Sequence, residues 1–209
     1  MRILGILIAI VILLIAASLV FIYSGVYNVA ATEPHIKPVE WVLNMTLAKS
    51  VSRHAKGIVA PPLTDDSIVQ TGFVHYKEMC VTCHGAPGVS PSELAKGLNP
   101  EPPELVEELE EGEWWSTEQL FWITKYGIKM TGMPAFGPTH SDEEIWAIVA
   151  FLKRLPDLSP EEYRAMEEAT KDKQHEHGHS HEHGQMHEQK DNEKKRETHI
   201  HEDGSKHSH

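Results

Sequence analysis

The chain has only two cysteines among 209 residues, and they lie three positions apart. A fold held together by a network of disulfides is therefore excluded. It is also short of positive charge: 19 Lys and Arg stand against 31 Asp and Glu, a formal net charge of −12. Nucleic acid is thus not an expected partner, because phosphate binding needs a basic surface. No stretch of useful length alternates apolar and polar residues, so a sheet is not expected. Charge-free apolar runs are equally scarce, with one exception. Ile3 to Tyr23 holds 21 consecutive uncharged positions rich in Ile, Leu, Val and Ala.

Both cysteines fall in Cys80-Val81-Thr82-Cys83-His84. C-x-x-C-H is the signature for covalent attachment of a c-type haem. Two thiols on one helical turn reach the two vinyl groups of one porphyrin, and the next histidine lies under the ring, where a ring nitrogen binds iron. A zinc site would need two more thiolate or imidazole ligands at short spacing, and no third cysteine exists. A thioredoxin-like dithiol would need a βαβ context, which is not visible. Downstream, Lys129 to Gly137 reads KMTGMPAFG, which offers Met130 and Met133 as sixth ligands. A thioether opposite the histidine raises the reduction potential, as suits an electron carrier. Pro134 and the flanking glycines make a loop able to present a side chain.

With these two motifs the chain resembles class I cytochromes c over about residues 68 to 156. The resemblance implies an all-α domain of about three main helices around one covalent haem c. It makes Cys80 and Cys83 the attachment residues and His84 the proximal iron ligand. Its G-M-P-x-F-G-like loop selects Met133 as distal ligand, with Met130 as the rival. It further implies that a backbone carbonyl of the Pro-rich stretch Gly97 to Pro103 holds the other nitrogen of His84. Which carbonyl does so is left open. Haem c attachment also implies a domain outside a bacterial cytoplasmic membrane, or its organelle equivalent. The likeness extends to the small cytochrome c subunits and domains of bacterial respiratory oxidases.

Taken in order, residues 1–31 are expected to form a membrane anchor. As a helix, Ile3–Tyr23 is about 31 Å long, enough to cross the hydrocarbon core. The rival is a cleaved signal sequence, for which Val29-Ala30-Ala31 is an acceptable cutting site; its apolar core is usually shorter. Arg2 argues for an inside N-terminus. Residues 32–64 form a connector. Pro38 opens a helix in which Leu43, Leu47 and Val51 recur at helical spacing, with Lys49, Arg53, His54 and Lys56 nearby. Two readings stay open: a basic amphipathic helix on a lipid surface, or a helix packed against the haem domain. His35 and His54 are expected on the surface.

The haem domain is placed at 65–160. Asp66 or Ser67 should cap its first helix, on which Gly72, Tyr76 and Cys80 share a face. His75 lies on another face and is expected at the surface. Glu104 to Glu113 contains six glutamates around Leu105, Val106 and Leu109. This is either a solvated helix face or an acidic docking patch for a basic redox partner. Ser116…Gln119 and Ser141…Glu144 are capping boxes that open two further helices. Trp114, Trp115 and Trp122 are expected as haem-pocket wall and core. The resemblance makes Phe151, on the last helix, the partner of Gly72 and Tyr76.

Residues 161–209 form a charged tail, expected to be disordered from about 171. Ten of fifteen histidines lie between His175 and His209. His175, His177, His179, His181 and His183 alternate with other residues and are candidate ligands for zinc, copper or nickel. The reading as a whole is a membrane-anchored mono-haem cytochrome c that passes single electrons between redox protein partners and is not itself an enzyme. The alternatives are a fixed cytochrome c subunit of an oxidase or dehydrogenase complex, and a periplasmic metal-binding protein acting through its tail.

Overall fold

The structure is a computed structural model that describes residues 2–110 and 115–176. Among them the chain is helical, and its one β-feature is an isolated bridge between Ala86 and Val89. The first helix, α1 (Arg2–Ser24), has a mean hydropathy of 3.3 and buries none of its side chains, so it is long and apolar enough to cross a membrane. A second helix, α2 (Lys37–His54), starts with Pro38 in its first turn, where a missing N–H is harmless.

The haem domain is built on two helices, α3 (Asp66–Met79) and α8 (Asp142–Arg154), which pack closely together. Gly72 makes the crossing possible: a Cβ there would fall on the carbonyl oxygen of Ala147 and 3.0 Å from Cβ of Phe151. Around this contact Phe73, Tyr76, Ile148 and Phe151 form the core, with Phe151 rings 5.5 Å from Phe73 and 5.1 Å from Tyr76. The meeting expected of Phe151 with Gly72 and Tyr76 is present. The cap of α3 lies one residue earlier than expected. Asp65 accepts from the Ser67 amide at 2.8 Å, and the Ser67 hydroxyl, itself an expected cap, donates to the same carboxylate at 2.7 Å.

Three short helices follow: α4 (Val81–His84), α5 (Glu93–Lys96) and α6 (Leu105–Glu110). Leu105, Val106 and Leu109 pack on the α3–α8 core, so the acidic stretch presents an apolar edge inward. Next comes α7 (Thr117–Tyr126). Both predicted capping boxes are formed: Ser116 with Gln119 opens α7, and Ser141 with Glu144 opens α8. Leu120 and Phe121 of α7 pack with Ile145 and Val149 of α8 as a second core cluster, with Trp115 and Trp146 at its margin. Pro156 lies in a 3-10 turn, Leu155–Asp157, directly after α8.

A last helix, α9 (Pro160–Glu176), extends the packing beyond residue 160, where the domain was expected to end. Tyr163 is fully buried, with its ring 5.4 Å from that of Phe73, and Pro160 closes on Gly88. The reason it escapes a periodicity reading is plain. Tyr163 and Met166 are its only large apolar residues in a run rich in glutamate, too few to make a stripe. The helix also passes Lys171, from which disorder was expected. His175 falls within it, whereas His177, His179, His181 and His183 lie outside the described residues.

Candidate haem site

Cys80 ends α3 and caps α4, so the attachment motif sits on the corner between two helices. The backbone bonds Cys83 N to Cys80 O, 3.0 Å, and His84 N to Cys80 O, 2.9 Å, keep the two thiols and the imidazole on one tight turn. Cys80 is buried, Cys83 and His84 are half-buried, and neither cysteine forms a disulfide. Burial, reinforced by nearby Cys83, pushes the Cys80 thiol up to about 12. A thioether sulfur carries no charge, so the same burial does not oppose it.

Behind the motif, Gly85 has φ +67° and turns the chain away from α4. The buried Tyr76 hydroxyl donates to its carbonyl at 2.7 Å, and Ser92 N bonds Thr82 O at 3.0 Å. The chain then returns along Gly97 to Pro103. His84 Nδ1 lies 2.8 Å from the carbonyl oxygen of Pro103. A carbonyl can only accept, so Nδ1 carries the proton and Nε2 keeps its lone pair for a metal. Burial lowers the His84 pKa, partly offset by that carbonyl, and so favours the neutral imidazole that binds iron. This identifies the carbonyl that sequence reasoning left open. A backbone oxygen leaves no residue-type signal, and only the fold distinguishes Pro103 from its neighbours.

The methionine-bearing loop follows α7. Gly127, at φ +64°, folds this loop back on itself: a Cβ there would lie 2.7 Å from Pro134 C and 2.8 Å from Met133 O. Ile128 N bonds Met133 O at 3.2 Å, and the Thr131 hydroxyl accepts from Met133 N at 3.1 Å. Met133 is half-buried inside this turn, while Met130 is 91% exposed with φ +64°. Gly132 brings the loop against the returning chain, because a Cβ there would lie 2.6 Å from Leu98 Cδ1. The proximal and distal segments therefore meet at Leu98 and Gly132, a contact that sequence reasoning did not anticipate.

The thiol pair, the imidazole with its outward Nδ1 committed, and the methionine loop suit a covalently attached haem. Among the described residues no group of three His, Cys, Asp or Glu side chains is spaced to hold another metal ion. A cavity of about 590 Å³ lies elsewhere, between residues 59–63 and the N-terminal turns of α3 and α8, and none of the haem-site residues lines it. Other expected residues are placed as follows. Trp122 stacks on His54 of α2, with ring centroids 5.6 Å apart, and lies 5.4 Å from the Tyr126 ring. Trp115 borders the second core cluster, and Trp114 lies outside the described residues. His75 is not at the surface as expected. It is half-buried, with its ring 5.3 Å from that of His140 and Nε2 3.9 Å from Glu144 Oε1, because the first turn of α8 closes over it.

Helices, capping and haem motif together fit the all-α fold of a class I cytochrome c, and such a domain implies covalently bound haem c. More particularly, residues 67–152 match the family model described as cytochrome C oxidase, cbb3-type, subunit III, a match that supports a cytochrome c similar to the cytochrome c domains of oxidases. The comparison with curated proteins returned no match.

Proposed function

We propose that the protein is a membrane-anchored cytochrome c that relays single electrons between redox proteins outside the cytoplasmic membrane. The observation that carries the reading is the hydrogen bond from His84 Nδ1 to Pro103 O, which leaves Nε2 free one residue after the second cysteine. Bound at this site, the haem supplies a ferrous–ferric couple. Cys80 and Cys83 would hold it covalently, and His84 and Met133 would supply its two protein ligands to iron. With His84 and Met133 both on the iron, a bound haem would offer no open coordination site to a substrate, which favours a carrier over a catalytic haem enzyme. The Pro103 carbonyl fixes the imidazole plane and strengthens the ligand. The α1 span keeps the domain at the membrane where its partners reside.

A second reading has a specific observation behind it. The match to an oxidase subunit model favours a fixed place in an oxidase or dehydrogenase complex. Mild detergent extraction followed by purification and a redox titration separates the two. A free carrier yields one chain with one titrating haem and an intact N-terminus. Stoichiometric partner chains would replace it with the complex subunit. A mature chain beginning at Thr32 would contradict the anchor.

A further inference from the structure

The connector helix α2 answers the two readings left open by its sequence with a division along its length. Leu43, Leu47 and Val51 share one face, and their burial rises steadily. Leu43 is 50% exposed, Leu47 is half-buried and Val51 is completely buried. At the same end Ser52 accepts from Gln119 Nε2 at 3.1 Å, and His54 stacks on Trp122. The C-terminal half of α2 is thus docked on α7. The opposite face of its N-terminal half is different. Pro38, Trp41, Val42 and Met45 follow the i, i+3, i+4, i+7 spacing of one helical stripe. All four are exposed, Trp41 by 64%. One and two turns further on, the same stripe continues as exposed Lys49 and Arg53.

The other end of α2 is tied to α1. The Tyr27 hydroxyl lies 3.0 Å from His35 Nδ1, two residues before α2 begins, and the Tyr27 ring is 6.4 Å from that of Phe21 in the last turn of α1. One tyrosine therefore joins the end of the apolar span to the start of the connector helix. Wherever the last turn of α1 leaves the hydrocarbon, the first turns of α2 are close by.

We propose that the exposed stripe of α2 is a lipid-binding surface, seated in the headgroup layer of the bilayer that α1 crosses. The inference rests on the reading of α1 as a retained span. Trp41 supplies the amphipathic ring favoured at the membrane–water boundary, and Val42 and Met45 supply apolar depth. Lys49 and Arg53 meet anionic headgroups. Since the other half of α2 is fastened to α7, the helix acts as a bracket. It sets the height and tilt of the haem domain above the membrane instead of leaving the domain on a loose tether.

The test places a photoreactive benzoylphenylalanine at Val42, at Met45, at Ile12 of α1, and at Glu161 of α9 as a surface control. The full-length haem-loaded chains are put into nanodiscs of phosphatidylcholine and phosphatidylglycerol, illuminated, and their adducts weighed by mass spectrometry. An intact haem absorbance spectrum confirms folding at each position. Lipid adducts from positions 42, 45 and 12, but not 161, are the expected result. Adducts from position 12 alone would overturn the lipid-binding stripe while leaving the anchor in place. Cross-links from 42 or 45 to a second copy or another protein would equally overturn it. Absence of lipid adducts at position 12 would reject the anchor, and with it the inference.

Discussion

On the proximal side of the haem site, His84 is held from two directions. Its backbone is fixed by the Cys80–His84 turn, and its ring is pinned by the Pro103 carbonyl. Behind it stand the buried Tyr76–Gly85 bond and the α3–α8 core. On the distal side, Met133 depends on a loop folded against itself, with Gly127 at the hinge and Met130 open to solvent. One proposed ligand is built into the core; the other is carried on a turn. The contrast teaches that a histidine ligand can be oriented before iron binds, whereas a thioether with no second polar atom has to be aimed by the backbone alone.

That contrast can be broken most severely at Gly72. Gly72→Val places methyl groups where the Ala147 carbonyl sits, so α3 and α8 cannot approach. A loss of about 3 kcal/mol or more is expected, at the upper end of overpacking effects, with most of the haem-loaded protein lost from the membrane fraction. Haem content per chain and thermal unfolding give the readout. A variant as stable as the parent would mean that the crossing is not the platform of the proximal side.

Gly127→Ala should act on the distal side alone. The new Cβ meets Pro134 and Met133 backbone at 2.7–2.8 Å, and φ +64° strains any residue other than glycine. A destabilisation of about 1–3 kcal/mol is expected, together with a shift of the haem spectrum toward a weakened methionine bond. His84 ligation should persist. Simultaneous loss of the proximal ligand would show that the two sides fail together.

The smallest expected effect belongs to Tyr76→Phe. It removes the hydroxyl that donates to Gly85 O and leaves that carbonyl unpaired in the interior. About 1 kcal/mol of stability should go, read from denaturant unfolding of the haem-loaded form. The ferric spectrum should be unchanged, because the Tyr76 hydroxyl supports the corner of the motif through Gly85 and bonds the side chain of neither His84 nor Met133. A changed spectrum would give it a larger share in orienting the haem than the proximal side requires.

The elements legible in advance were those written in side-chain chemistry. Ser116 and Ser141 announced their helices because a hydroxyl followed three residues later by Gln or Glu closes a reciprocal cap. Gly72, Tyr76 and Cys80 announced their face through their four-residue spacing. The C-x-x-C-H motif marked the site because few chemistries use that pattern. What stayed hidden was carried by the backbone or by long-range contact. The Pro103 carbonyl has no residue signature. The Leu98–Gly132 approach joins two loops through a missing side chain. Tyr163 enters the core from a helix whose exposed positions are mostly charged. Asp65 won the cap of α3 over its two neighbours by geometry alone.

The central claim is that one haem is ligated by His84 from a rigid corner and by Met133 from the distal loop. Its most direct test is the weak sulfur-to-iron charge-transfer band at the red end of the ferric absorbance spectrum, recorded for the parent protein, Met133→Ala and Met130→Ala. The account predicts that the band is present in the parent and in Met130→Ala but absent in Met133→Ala, whose reduction potential also falls. A band that survives Met133→Ala and disappears in Met130→Ala would contradict it and move the distal ligand to the exposed methionine.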